Sequence, residues 1–282
     1  MNKSLLVRLL GFKAVLIHGD LLVWDRWRWL KRRLPLTRNG EQLLDVGCGS
    51  GAFTIGGARR GYQSIGLSWD KRNQSVAEQR ARLCRVSAEF PIQDVRFLAQ
   101  REDLRNKFDV VVCFENIEHV LNDRGLMNAM ADCMIPGGRL LLTAPYYLYR
   151  EITAEDRGPF SRTEDGWHVR RGYTSAMLTE LCSASGLMVE EISYCSGFLS
   201  QKITVLLRKI KPFALGWLLV LPLRLLPPIF DRLIAKLTAW PDFSICLVAY
   251  KPRFETAPRA ERPRALTALS PQVAETAKCA TG

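Results

Sequence analysis

This sequence of 282 residues has few of the features that identify zinc-binding, disulfide-rich, secreted or membrane-spanning proteins. Its eight cysteines are scattered without a C-x-x-C pair, which argues against a zinc site or a disulfide framework and favours a reducing, cytoplasmic compartment. The N-terminal apolar stretch is broken by Arg8, Lys13 and Asp20, so it lacks the uninterrupted core of a signal peptide. The longest clean apolar run, 213–223, would form a helix of about 16 Å against a membrane core of about 30 Å, so we predict no spanning helix.

Positive charge is abundant but unevenly placed, within a formal net charge of +12. Residues 1–42 carry nine Lys/Arg and three acidic residues, and residues 199–243 carry seven Lys/Arg and two acidic residues. Residues 43–198, by contrast, carry 18 Lys/Arg and 20 acidic residues. The basic segments are also apolar, which favours an anionic membrane surface over nucleic acid as their partner. The absence of an N-P-P-Y-like strand end and of an RNA-binding module likewise predicts no nucleic-acid partner.

A glycine-rich stretch, DVGCGSG at 45–51, follows a short apolar run and precedes a helical pattern. The first glycine, Gly47, permits a sharp turn, and Gly49 allows a ligand to approach the backbone closely. Gly51 lets the helix begin against the strand, and the unpaired N–H groups of that helix face polar ligand atoms. A glycine-rich turn without a ligand is the alternative interpretation.

Three segments together resemble class I S-adenosylmethionine (SAM) methyltransferases. The G-x-G-x-G turn with an acid two residues before it resembles their motif I, and IPGGRLLLTAPYY at 135–147 resembles a turn and strand of the family. FDVVVCFENIEHV at 108–120 is similar to the C-x-E-x-x-E-H-V segment of quinone-biosynthesis O-methyltransferases and methyltransferase type 11 members. The resemblance implies SAM as cofactor and an α/β fold: a Rossmann-like seven-stranded mixed sheet with helices on both faces.

The resemblance places cofactor contacts at the carboxyl ends of the strands. Where the family has an acid after the second strand, this chain has Ser68, with Asp70 two residues later, and GLSWDKRNQ there also resembles a cyclopropane fatty-acid synthase segment that would add Gln74. Asp94 and Val95 fall where the family surrounds the adenine, although Asp94 has a helix N-cap as its alternative. The cofactor residues implied are Asp45, Gly47, Cys48, Gly49, Gly51, Ser68, Asp70, Asp94, Val95 and Glu115.

Three side chains are candidates for the general base that an oxygen nucleophile needs: His119, His168 and Glu115. His119 has an orienting role in the strand-end loop as its alternative. His168 lies in a long loop, 150–173, where Arg170 or Arg171 is a candidate anchor for an acidic substrate group and a structural loop is the alternative. We predict no metal site, although some related quinone enzymes use a divalent ion.

Two appendages flank the predicted domain 41–252. The first, an N-terminal helical cap at 1–40, contains WDRWRWLKRRLP at 24–35, which fits either an interfacial membrane helix or a helix that covers the active site or the core. The second is an apolar helical insertion at 199–243, before the last strand, which fits a broken amphipathic hairpin in one leaflet or a lid or dimer face. Residues 253–282 are predicted to form a disordered tail.

The sequence therefore predicts a SAM-dependent methyltransferase that acts on a small apolar or lipid-like acceptor, on oxygen, while attached peripherally to an anionic membrane surface. A cyclopropane-fatty-acid-synthase-like enzyme acting on lipid alkenes and a non-catalytic SAM-binding scaffold are the alternatives. The oligomeric state is left open.

Overall fold

One seven-stranded sheet organises the protein, seen in a computed structural model that describes residues 3–17, 21–152, 155–210, 219–220 and 222–253. The strand order is β3-β2-β1-β4-β5-β7-β6. The strands are β1 Gln42–Val46, β2 Gln63–Leu67, β3 Ala88–Glu89, β4 Phe108–Phe114, β5 Met134–Pro145, β6 Met188–Cys195 and β7 Ser244–Tyr250.

Strand direction divides the sheet into two parts. The first five strands pair in parallel, whereas β7 lies antiparallel between β5 and β6. The central parallel strands β1, β4 and β5 are mostly buried and rich in valine or leucine, as expected when helices cover both faces. The predicted seven-stranded mixed sheet is confirmed.

Nine α-helices are assigned within the described residues. They are α1 Lys3–Leu10, α2 Phe12–Ile17, α3 Leu21–Arg33, α4 Ala52–Ala58, α5 Lys71–Leu83, α6 Asp123–Cys133, α7 Ser175–Ala184, α8 Phe198–Lys209 and α9 Pro227–Thr238. Helix α5 ends at Leu83, and β3 is only two residues long. Asp70 caps α5 by accepting from two backbone N–H groups, which fixes where this helix begins.

Alternate residues along the strands belong to two separate hydrophobic cores, because successive side chains point to opposite sheet faces. Leu44 of β1 and Val111 of β4 pack with α6 and α7. Leu43 and Val110, one position away, pack with the N-terminal helix α3 on the other face.

Helix α3 is part of this second core. Its Trp27 and Trp29 rings are 8% and 5% exposed, and Trp29 meets the Phe114 ring at a centroid distance of 5.9 Å. The Trp27 ring fills the space beside Gly56, where an added Cβ would lie 2.2 Å from it. Since both rings are buried in protein, the interfacial interpretation of residues 24–35 is wrong for them, and the covering alternative describes α3.

The insertion before β7 contributes α8 and α9. The carboxylate of Asp231 on α9 accepts from the backbone N–H groups of Leu199 and Ser200, so one helix caps the start of the other. Most of the apolar run 213–223 and Lys211 lie outside the described residues, as does the predicted tail from residue 254 onward. None of the described helices has the length and apolar content needed to cross a membrane.

Candidate functional site

The turn after β1 is built from three glycines with positive φ, namely Gly47 (87°), Gly49 (51°) and Gly51 (81°). A Cβ added to Gly47 would lie 2.4 Å from the Asn116 side chain, and one on Gly51 would lie 2.8 Å from Ala77. Gly49 differs, because nothing lies within 4 Å of its Cβ position. The turn therefore packs at both ends and leaves open space over its middle glycine.

Asp45 lies in β1, two residues before the first glycine of this turn. Its buried carboxylate accepts a hydrogen bond of 2.7 Å from the Thr54 hydroxyl, and burial raises its pKa to about 7. This hydrogen bond links β1 to α4, and the Asp45 side chain lies inside the protein rather than in the open crevice.

Gln74 links the turn to the neighbouring strand ends. Its buried amide donates to the carbonyls of Gly66 and Pro91, and its oxygen accepts from the Cys48 thiol at 3.3 Å. Burial raises the pKa of Cys48 well above its ordinary value, so the thiol stays protonated and available as donor. Gln74 is therefore not a helix surface residue, since it is only 2% exposed.

The predicted residues beyond β2 and β3 lie near each other, since Ser68 forms a parallel bridge with Ile92. The Ser68 hydroxyl accepts from the backbone N–H of Asp70. Asp94 begins a 3-10 helix (Val95–Gln100) and pairs with Arg96, which lowers its pKa. Its N-cap role, one of the two alternatives, is thus present, and Val95 is buried in the core.

Exposed apolar side chains surround these strand ends, and the sequence prediction missed them. Trp69 is 65% exposed, Ile92 is 54% exposed and Phe97 is 49% exposed. Their position next to Ser68 and Asp94 offers flat apolar surface to a planar ligand. Trp69 could have been found from its place directly after the Ser68 position.

Glu115 lies directly after β4 in a left-handed backbone conformation with φ 47°. One carboxylate oxygen is 3.1 Å from the Arg26 guanidinium, and the other accepts from the Ser244 hydroxyl at 3.0 Å. The side chains of the ion pair are only 9% and 15% exposed. Both oxygens are therefore engaged, which favours a positioning role for Glu115 over the predicted role as base.

A cavity of about 910 Å³ opens beside Glu115. It combines apolar walls with seven titratable side chains, which come from the core, the N-terminal helix, the loop 150–173 and the insertion. Its lining residues are Leu22, Arg26, Glu115, Glu118, His119, Ile152, Asp156, Gly158, Pro159, Phe160, Ser161, Trp167, His168, Arg208 and Phe243. Both appendages thus contribute to the cavity, which the sequence did not reveal because their partners lie far away along the chain.

Glu118, His119 and His168 meet at the cavity wall. A carboxylate oxygen of Glu118 lies 3.9 Å from His119 Nε2, and the two imidazole centroids are 4.7 Å apart. One ligand atom from each residue lies within 4.8 Å of the others. The sequence predicted no metal site, but this is a set of side chains with the donor types that divalent transition metals accept.

Charge at this cluster is poorly compensated within the described chain. Glu118 is fully buried, and neither of its oxygens nor His119 Nδ1 has a hydrogen-bond partner among the described residues. Burial raises the pKa of Glu118 well above its ordinary value and lowers that of His119. Burial and the neighbouring His119 lower the pKa of His168 to about 4. Both imidazoles are therefore neutral near pH 7 and able to accept a proton or a cation.

The two arginines proposed as substrate anchors are tied to the protein instead. Arg170 pairs with Asp123 and donates to the carbonyls of Val120 and Leu121. Arg171 donates to the carbonyls of Tyr147 and Tyr149. The structural alternative for this part of the loop thus describes both arginines, while His168 of the same loop reaches the cavity.

Comparison with known proteins matches residues 23–192 to a family model described as a methyltransferase domain. The ubiquinone biosynthesis O-methyltransferase of Aeromonas salmonicida is 29% identical over 160 residues, covering 55% of this chain and 66% of the relative. The enzyme of the same name from Alkalilimnicola ehrlichii is 35% identical over 121 residues, covering 41% of this chain and 48% of the relative. The chain thus spans less than two thirds of these relatives' length.

Solved structures share the fold at low sequence identity. A SAM-dependent methyltransferase from Mesorhizobium loti aligns with a TM-score of 0.54 and 17% identity, covering 83% of this chain and all of that one. The cyclase SpnF aligns with a TM-score of 0.54 and 20% identity, covering 81% of each chain. These likenesses bear on the fold alone.

Proposed function

Because this chain belongs to the methyltransferase domain family, which confirms the predicted enzyme class and cofactor, we propose that it transfers the methyl group of SAM to a hydroxyl oxygen of a small apolar acceptor. The observation that carries the proposal is the cavity wall, where neutral His119 and His168 lie beside the strand end that follows the glycine turn. The acceptor occupies this cavity, and SAM lies over Gly49. The cavity volume of about 910 Å³ suits a small organic molecule.

Methyl transfer is an in-line displacement, so the protein mainly aligns the acceptor oxygen and the donor methyl at about 3–3.5 Å and excludes water. One of the two histidines accepts the hydroxyl proton as the oxygen attacks. Glu115 is held by Arg26 and Ser244, and it fixes the position of the strand end that lies between the donor and acceptor sites. Trp69 and Ile92 contact the adenine, and Asp70 the ribose.

The test supplies purified enzyme and methyl-labelled SAM to a membrane extract, followed by mass spectrometry of the labelled product. A methyl ether is expected. A cyclopropane product from an unsaturated lipid would support the synthase alternative, whereas SAM binding without labelling of any component would support the scaffold alternative. In either case the proposed reaction would be wrong.

As the alternative to a histidine base, we propose that the cluster of Glu118, His119 and His168 holds a divalent cation, with both histidines as ligands. A fully buried carboxylate without a hydrogen-bond partner is costly, and a cation would compensate it. When bound, such an ion would lower the pKa of an acceptor hydroxyl that it contacts. Elemental analysis and thermal unfolding with added Mn²⁺ or Zn²⁺ test the site without relying on turnover. Retention of metal by Glu118→Gln at the wild-type level would contradict it.

We further propose that the insertion rests on an anionic membrane surface. Along α9, Ile229, Leu233 and Leu237 follow one another at helical spacing and are 66%, 54% and 76% exposed. Phe230 is 42% exposed beside them, and the exposed Lys236 lies on the same helix. An exposed apolar stripe with a nearby cation is typical of a helix that lies in the interface, so an apolar or lipid-like acceptor would reach the cavity from the membrane.

Point substitutions test this attachment better than deletion of residues 211–240, because that deletion would leave α8 without its Asp231 cap. Leu233→Asp with Leu237→Asp is expected to move the protein from the pellet to the supernatant after sedimentation with anionic vesicles, with SAM affinity unchanged. The matched control is Leu121→Asp with Leu148→Asp, at two leucines that are 49% and 60% exposed outside the insertion. Equal sedimentation of both double variants would identify α9 as a protein-facing lid or dimer face.

A further inference from the structure

A second depression, of about 660 Å³, lies outside the candidate active site, and its lining residues serve no step described above. It is formed by the N-terminal helices, the segment after α3 and the end of α4. We name it the basal groove; its lining residues are Leu9, Leu10, Gly11, Phe12, Lys13, Leu16, Trp24, Trp27, Lys31, Leu36, Arg59 and Arg60.

The basal groove and the catalytic cavity lie at opposite ends of the sheet. Glu115 and the glycine turn follow the carboxyl ends of β4 and β1, where the cavity opens. Helix α4 starts at that turn and runs back, so Arg59 and Arg60 after its last residue lie near the start of β2. A ligand in the groove therefore does not occupy the acceptor or cofactor space.

Apolar side chains from separate segments converge on the groove. Leu9 and Leu10 of α1 are 72% and 47% exposed, and Leu36 after α3 is 74% exposed. Phe12 and Trp24 are half-buried between them. Single exposed leucines need no explanation, but a concave surface with several of them is typical of a binding site for an apolar group.

Every charged residue that lines the groove is basic: Lys13, Lys31, Arg59 and Arg60. None of these four forms an ion pair within the described part of the chain. The Arg59 guanidinium lies 5.3 Å from the centroid of the Phe12 ring, so positive charge adjoins the apolar wall directly. An occupant of matching chemistry is both apolar and anionic.

The chain's own C-terminal residues, 254–282, are a poor match for this chemistry. They carry four basic and three acidic side chains, so charge does not attract them to a basic groove. The groove volume lies in the range of about 300–1,000 Å³ that is usual for single small molecules. A single amphiphile thus fits better than a folded protein.

We propose that the basal groove binds one anionic phospholipid. An acyl chain lies along Leu9, Leu36 and Trp24, and the headgroup phosphate lies between Lys31 and Arg59. This site is separate from α9 and from the catalytic cavity, and it does not depend on the reaction proposed above.

Calorimetry of the full-length protein with dihexanoyl phosphatidylglycerol, below its critical micelle concentration, tests the site without a bilayer. Lys31→Glu with Arg59→Glu is expected to weaken binding at least tenfold, and Leu36→Ser several-fold, since Leu36 is exposed and its loss does not disturb folding. The matched control is Arg105→Glu with Lys107→Glu, which makes the same change in net charge at two exposed residues outside the groove. This control should bind as the wild type does.

The proposal would be overturned by no binding of the short-chain lipid by the wild type, by equal loss of binding in the groove and control variants, or by binding of inorganic phosphate as tight as that of the lipid. Dihexanoyl phosphatidylcholine should bind at least tenfold more weakly, because its headgroup has no net charge. Binding of an acidic amphipathic peptide in preference to the lipid would identify a protein partner instead. SAM affinity, measured in parallel on each variant, should not change, so the result is independent of the proposed methyl transfer.

Discussion

Gly49 illustrates how one backbone position separates a ligand-binding turn from a merely tight one. Gly47 and Gly51 have protein atoms where a Cβ would lie, whereas Gly49 has none. The positive φ of all three explains why glycine occurs there, but only Gly49 leaves open space at this strand end, where a ligand has room to bind.

Gly49→Val is expected to reduce SAM affinity at least tenfold, because the side chain would enter the crevice that the cofactor needs. The left-handed conformation itself costs about 1–2 kcal/mol for a residue with a Cβ. Gly186→Val is the matched control, since Gly186 also has a positive φ (72°) and nothing within 4 Å of its Cβ position, but it lies after α7. Calorimetric titration with SAM checks the prediction, and equal affinities in both variants would contradict it.

Asp45 has a pH-dependent role that follows from its burial. Its pKa is raised to about 7 in the folded protein, against 3.8 in the unfolded chain, so folding favours the protonated carboxyl. The stability that this group contributes is complete below about pH 4 and is lost as the pH rises through about 7.

Asp45→Asn should therefore flatten the decline of unfolding free energy between pH 5 and pH 8 in the ligand-free protein. Urea unfolding at four pH values in this window measures the slope. A control variant at an exposed acid, Glu102→Gln, should retain the wild-type slope. If Asp45→Asn kept it as well, another group would be responsible for the pH dependence.

At the scale of elements, α3 connects features that are separate in the sequence. Arg26 of α3 reaches Glu115 at the end of β4, Asp25 faces the insertion, and Trp24 and Lys31 line the basal groove. One 13-residue helix therefore contacts the catalytic cavity, the insertion and the second groove. Its Trp-rich and Arg-rich composition reflects these different partners rather than a single membrane face.

Arg26→Met is expected to destabilise the protein by about 3–5 kcal/mol, because it leaves the Glu115 carboxylate without its cation in a nearly dry site. It should also reduce turnover more than SAM affinity, since Glu115 would lose its fixed position. Arg124→Met is the matched control: its pair with Glu180 is 59% and 75% exposed and should contribute less than about 1 kcal/mol. Chemical unfolding and single-turnover rates measure both effects. Equal losses of unfolding free energy in Arg26→Met and Arg124→Met would contradict the assigned role of the buried pair.

Prediction from the sequence succeeded where the pattern is local. The apolar run 110–114, the glycine turn and the Pro-Gly-Gly turn each determine a strand or a turn within a few residues, whereas the seven-stranded mixed sheet was implied by the family resemblance. Cofactor positions such as Asp94 were ambiguous because one carboxylate can cap a helix or face a ligand, and its N-cap role was one of the alternatives.

Prediction failed where the answer depends on contacts between distant parts of the chain. Arg26 lies 89 positions from Glu115, and the cluster of His119 and His168 depends on how a long loop folds back over the cavity. No spacing rule reports such contacts. The Trp residues of α3 show the same problem, since an amphipathic pattern with basic residues fits a membrane and a sheet face equally well.

At the scale of the whole molecule, we propose that the N-terminal cap 1–40 is integral to the methyltransferase domain 41–252, and truncation tests this. Residues 1–20 contribute Val7, Val15 and Leu16 to buried clusters, and removing them should lower Tm by about 5–15 °C. Removing 1–34 also takes away Trp27 and Trp29. Their burial contributes about 10 kcal/mol, which is comparable to the whole stability of a domain, so cooperative unfolding should be lost.

Removal of residues 254–282 is the control for these truncations, because the predicted disordered tail should leave Tm unchanged. Calorimetry of the three truncated proteins at equal concentration gives the comparison. A cooperative transition near the wild-type Tm after loss of 1–34 would show that the sheet face behind α3 is stable without a cover, and the cap would then be a separate unit. The physical reason to expect otherwise is that Leu43, Val110 and Phe114 would face water on a surface shaped to hold indole rings.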